Sequence, residues 1–157
     1  MSGVIVVDTN LLVLLVVGSA SIEYINKHKR LTEFSTDDFE LLVELIGTFS
    51  DIVMLPHILT ETSNLIKQID NPARLKIQYS FRTLVNTTME LPLPSVYGVQ
   101  RSEFAELGLT DAMILHLCNL TGNGIEPTLL TTDTALANNA HSLGYSVIDY
   151  KQEYQTG

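Results

Sequence analysis

The sequence predicts an α/β domain, a three-layer sandwich in which a five-stranded parallel sheet is flanked by helices. Short β-branched apolar runs alternate with segments of helical spacing along the chain. The clearest of these runs, Val4-Ile5-Val6-Val7, is apolar at every position and does not alternate, as expected of a strand covered on both faces. A length of 157 residues with 45% hydrophobic content suits one domain with a real core and excludes a disordered chain.

Val4 to Val7 is too short for a helix and begins the sheet. Asn10 to Val17 turns directly into a helix, with Gly18 expected to end it. Ser21 to His28 reads as a short helix. Thr36-Asp37-Asp38 opens the next, placing acids at the positive end of its dipole ahead of Phe39, Leu42, Val43 and Ile46. Ile52 to Leu55 is a second strand, closed by Pro56. Ile58, Leu59, Thr62, Leu65, Ile66 and Ile69 have helical spacing. Asn71-Pro72 starts a helix running to about Asn86, and Thr88 to Leu91 is a weak third strand. Ser102 to Leu107 is a short helix capped by Gly108, and Thr110 caps a helix from Asp111 to about Leu120. Thr128 to Thr132 is a fourth strand, Thr134 to Leu143 a helix ending at Gly144, and Ser146 to Ile148 a fifth strand. No repeat or linker divides residues 1–157, so a single domain is expected.

Cys118 is the only cysteine, which excludes an intramolecular disulfide and suits a reducing, cytoplasmic setting. It lies in an apolar helical pattern and reads as a buried, inert thiol. The apolar stretch from Val4 to Val17 is broken by Asp8, Thr9 and Asn10 and is too short to span a bilayer. No basic residue precedes it, so neither a membrane span nor a signal peptide is expected. The net charge of −9 argues against a nucleic-acid binder, but its distribution is uneven. Thr62 to Thr88 holds four cations (Lys67, Arg74, Lys76 and Arg82) and one acid, Asp70, making one basic segment on an acidic body. Such a segment offers phosphates a positive strip, or is simply a solvated helix face. The run Lys27-His28-Lys29-Arg30 reads as a solvated helix end.

The residues that carry chemistry are acids. Asp8 follows the first strand and Asp133 follows the fourth, so both belong to the carboxyl edge of the sheet, where ligands bind in such folds. Glu61 is expected in the first turn of the helix after the second strand, and Asp111 in the first turn of the helix leading to the fourth. Taken singly, each has an ordinary role: Asp8 and Asn10 as helix caps, Asp111 and Asp133 as dipole-complementing acids, Glu61 as solvated surface. Four acids from four distant segments at one edge are a different matter. Crowded carboxylates repel one another unless a cation neutralises them, and an all-oxygen set suits Mg²⁺ or Mn²⁺. One or two such ions activate water and stabilise the leaving oxygen of a phosphodiester.

The chain resembles the PIN domains, a nuclease family that includes ribonucleases and the toxins of toxin–antitoxin pairs. The resemblance lies in VIVVDTNLLV (Val4 to Val13), LPHILTETSNLI (Leu55 to Ile66), LGLTDAMIL (Leu107 to Leu115) and LLTTDTALANNA (Leu129 to Ala140). It implies a five-stranded parallel sheet and metal-dependent cleavage of RNA, with homodimerisation and, for a toxin, an antitoxin protein as partner. It also implies that Asp8, Glu61, Asp111 and Asp133 are the catalytic, metal-binding acids. Asn10 and Thr132 match the family's supporting polar positions. The acidic charge departs from what an RNA-cleaving enzyme would show.

Other chemistries find less support. His28, His57, His116 and His141 form no zinc-type pair, and neither a Gly-x-Ser-x-Gly elbow nor a Gly-rich phosphate loop with lysine occurs. A haloacid-dehalogenase-like phosphatase would want a second Asp at Asn10. That fold and a receiver domain would both want a late lysine, yet after Arg101 the only basic residue is Lys151. A non-catalytic PIN-like module acting through a protein partner is the remaining alternative.

Overall fold

The computed structural model describes residues 3–120 and 127–155; the expected domain limits, 1 and 157, lie outside them. The strands are β1 (Val4–Val7), β2 (Asp51–Met54), β3 (Met89–Glu90), β4 (Thr128–Thr131) and β5 (Val147–Asp149). They form one parallel sheet in the order β3-β2-β1-β4-β5. The helices are α1 (Thr9–Ala20), α2 (Thr36–Gly47), α3 (Pro56–Ile66), α4 (Ala73–Thr87), α5 (Val96–Val99), α6 (Phe104–Leu107), α7 (Leu109–Cys118), α8 (Thr134–Ser142) and α9 (Tyr150–Tyr154). Two 3₁₀ turns, Ile22–Lys27 and Lys29–Leu31, join α1 to α2. Helices flank the sheet, with α1 against α2, α3 and α4, and α7 against α5, α6 and α8. No helix among the described residues is long and apolar enough to cross a membrane.

β1 is central and buried at all four positions, which is why its sequence does not alternate. α1 follows at once and is apolar nearly all round. Leu11, Leu12, Val13, Leu14, Val16 and Val17 are all buried, so this helix belongs to the core. Gly18 does not end it. The helix runs to Ala20, and Gly18 is there because a Cβ at that position would collide with the Phe39 ring. The start of α2 is tighter than Thr36-Asp37-Asp38 alone suggests. Ser35 is the N-cap and forms a reciprocal capping box with Asp38, whose other oxygen accepts from Tyr150 Oη at 2.7 Å.

Pro56 takes the first position of α3, so that helix begins two residues earlier than its apolar spacing suggests. Glu61 therefore sits in its second turn, not its first. α7 begins at Leu109, with Gly108 at φ +88° before it, so Thr110 lies inside the helix instead of capping it. The expected helix from Ser21 to His28 is instead the 3₁₀ turn Ile22–Lys27, with Ser21 and His28 as its caps, and α5 and α9 arise from short, weakly patterned sequences.

Candidate active site

The sheet order reverses direction between β1 and β4, which makes the crevice beyond their carboxyl ends the topological switch point. Register decides what meets there. Val7 pairs with Leu130, so the next residues, Asp8 and Thr131, lie side by side. The Asp8 backbone N–H extends the ladder by donating to the Leu130 carbonyl at 2.9 Å. The Asp8 carboxylate is 8% exposed and held at both oxygens. Oδ1 accepts from the Thr9 backbone N–H at 2.7 Å, and Oδ2 from Thr131 Oγ1 at 2.6 Å. Thr131 Oγ1 in turn accepts from the Asp133 backbone N–H at 2.9 Å, locking the turn that presents the second acid. Asp133 caps α8 through the Leu136 N–H at 3.1 Å.

Glu61 and Asp111 enter from α3 and α7. The Thr110 hydroxyl donates to Glu61 Oε2, tying these two helices together at the site. All four acids line one cleft of about 510 Å³, together with Asn10, Asn64 and the guanidinium-bearing Arg30. The four sequence-derived acids and Asn10 are thus brought together. Thr132 is not among the cleft-lining residues; the hydroxyl that touches Asp8 belongs to Thr131. Lys67 and Arg74 line a separate cleft, Lys76 borders an apolar groove between α1 and α4, and Arg82 is exposed.

Crowding leaves an electrostatic signature. Burial pushes the Asp8 carboxyl above the usual range, with Asp133 and Glu61 adding to the effect, against the lowering by its Thr131 and Thr9 hydrogen bonds. Asp111 is pushed up to about 7, first by burial and then by the negative charges of Asp8, Asp133 and Glu61. A hydrogen bond to Asp133 further favours its protonated form. A divalent cation would remove this cost, and the donor set is all oxygen, so the chemistry fits Mg²⁺ or Mn²⁺. Among the described residues no three His, Cys, Asp or Glu side chains form a ready-made cage for a metal. Mg²⁺ does not need one, since it keeps several waters and binds through one or two carboxylates.

Three participants escaped the sequence reading. Thr131 is distinguishable from Thr132 only through strand register. Thr110 looks like an ordinary cap. Arg30 belongs to a run that reads as solvated. Three of the four histidines are placed outside the acid cleft: His57 bonds Ser95 Oγ at 2.7 Å, His116 stacks on Tyr97 at 4.6 Å, and His28 is buried. Cys118 is buried and its thiol pushed up to about 12, as expected of an inert packing residue. No protein family and no curated protein sequence matches the chain.

Proposed function

We propose that the protein is a metal-dependent endoribonuclease of PIN type, hydrolysing RNA phosphodiesters at Asp8, Glu61, Asp111 and Asp133. The observation that carries this reading is the convergence of four acids from four separate elements on one cleft at the switch point. A protein gains nothing in stability from this crowding, which drives Asp111 up to about 7. Such a cost is typical of a functional site. Bound there, Mg²⁺ or Mn²⁺ would supply a hydroxide-like nucleophile and offset charge on the cleaved phosphate. The chain's own contribution is position. Thr131 and the Thr9 N–H fix Asp8, the Leu136 N–H fixes Asp133, and Thr110 orients Glu61. Arg30 offers a cation to the phosphate at the cleft wall, and Asn10 an amide. A toxin role, with an antitoxin partner and a homodimer, follows only from the resemblance.

A second reading, a non-catalytic module that works through a protein partner, draws on the α1–α4 groove, where Leu75 and Tyr79 are 64% and 68% exposed. RNA cleavage with Mg²⁺ or Mn²⁺, with and without EDTA, decides between them. Cleavage that EDTA abolishes supports the nuclease. An intact substrate under every metal condition favours the module.

A further inference from the structure

The acidic body carries 9 Lys and Arg against 18 Asp and Glu, yet four of those cations share one cleft. Lys27, Lys29, Lys67 and Arg74 line a cavity of about 610 Å³ in which Asp70 is the single acid. They come from two segments far apart in the chain, brought together by one buried residue. His28 Nδ1 accepts from the Arg30 backbone N–H at 3.1 Å, which leaves the ring proton on Nε2 to be donated to the Ile66 carbonyl at 3.0 Å. His28 is 2% exposed, and this pair of bonds pins Lys27 to Arg30 against the end of α3. The lysines themselves are exposed, and among the described residues none of the three forms an ion pair. Arg74 spends Nε on the Ile69 carbonyl at 2.9 Å and keeps its terminal nitrogens. Like charges gathered and left unpaired repel, so the arrangement suits an anionic occupant.

The basic cleft and the acid cleft draw on the same two stretches of chain, residues 27–30 and 64–67. Lys29 lines the first and its neighbour Arg30 the second; Lys67 lines the first, and Asn64 and Leu65 the second. We infer that this cleft binds the phosphate backbone of single-stranded RNA, leading through Arg30 to the four acids. The strip differs from the one the sequence suggests: Lys27 and Lys29 belong to it, and Lys76 and Arg82 do not. The inference rests on the nuclease reading for its direction, but its test is separate.

The test is RNA-binding affinity of a labelled single-stranded oligonucleotide by anisotropy across a salt series, with Ca²⁺ replacing Mg²⁺. Wild type is compared with Lys27→Gln/Lys29→Gln/Lys67→Gln and with a control, Lys76→Gln/Arg82→Gln. All five residues are exposed, so the variants should melt like wild type, and thermal denaturation checks this. Each phosphate contact on a single strand contributes about 0.7 to the slope of log affinity against log salt, so the triple variant should lose about 2 from its slope. At low salt it should bind at least about 10-fold more weakly. The control should keep the wild-type slope. An unchanged slope in the triple variant, equal losses in both variants, or no RNA binding by wild type would each overturn the inference. Cleavage in Mn²⁺ is scored separately. A cleaving enzyme whose triple variant keeps its slope retains the nuclease reading and loses this one. A non-cleaving protein whose triple variant loses its slope does the reverse.

Discussion

Two clefts of similar size, about 510 and 610 Å³, are lined by side chains of opposite charge. In the acid cleft, Asp8, Asp133 and Glu61 are tethered by the hydrogen bonds of Thr131, the Leu136 N–H and Thr110. In the basic cleft the three lysines have no ion-pair partner among the described residues. His28 ties the backbone of the Lys27–Arg30 stretch to the end of α3, and all three lysine side chains are exposed. On the nuclease reading, the contrast would separate two requirements of one reaction. Groups that act on the reacting atoms must be held in place, because small displacements cost rate. Groups that only hold a polyanion nearby can stay mobile, since their attraction is long-ranged and non-directional.

The largest effect should come from breaking the tethered side. Asp8→Asn keeps the shape and the acceptor toward Thr131 but removes the charge. RNA cleavage in Mg²⁺ or Mn²⁺ should fall at least about 100-fold, with the fold intact by circular dichroism. Full activity in the folded variant would end the four-acid mechanism. Next is the tether itself. Thr131→Val leaves buried Asp8 without its hydroxyl partner, so metal affinity should drop about 10–100-fold, read by metal titration, and Thr131→Ser should restore it. Equal affinity in the valine variant would make Thr131 a packing residue.

The charge contrast also has a pH signature. Asp111 stands at about 7 in the folded metal-free protein against 3.8 for the free side chain, so the fold favours its protonated form. That contribution is fully present below about pH 4 and is lost as pH rises through about 7. Urea denaturation of metal-free protein should show a fall on the order of 2 kcal/mol between pH 5 and pH 8 after allowing for solvent screening. Asp111→Asn, or millimolar Mg²⁺, should remove it. His28 works in the opposite sense. Burial lowers its pKa below 6.5, so its contribution is intact above that value and lost as pH falls. A slope that persists in Asp111→Asn would assign the effect to other groups. The smallest effect belongs to the one cation among the described residues that lines the acid cleft. Arg30→Gln should raise KM for RNA about 5-fold with kcat little changed, the pattern of a ground-state phosphate contact. A fall in kcat alone would place Arg30 in the chemistry.

How far the sequence discloses this differs between the two sides. Asp8, Asp111 and Asp133 are legible because each adjoins a recognisable apolar run, and the parallel-sheet rule assigns such positions to one edge. Their partners are not, because Thr131 and Thr132 differ only by register, which a sequence does not state. Glu61 lies one turn deeper than its sequence suggests because Pro56 starts α3 before its apolar spacing begins. Gly18 carries the same signal as a helix terminator, yet its reason for being there is the Phe39 ring, 21 positions along the chain. The basic cleft was half legible. Proximity in sequence grouped Lys67 and Arg74 with Lys76 and Arg82, whereas the fold groups them with Lys27 and Lys29 through a hydrogen bond spanning 38 positions.

The bond from Thr131 to Asp8 joins residues 123 positions apart. Protein synthesis at about 5–20 residues per second puts some 6 to 25 seconds between the two leaving the ribosome. For that interval β1, apolar throughout, has one edge without its neighbour β4, and the acid cleft lacks one wall. A nascent chain therefore lacks the assembled acid cleft until β4 has emerged. It also carries an exposed Val-Ile-Val-Val edge that invites mispairing, so a slowly translated or truncated chain should depend on chaperones more than the finished domain does.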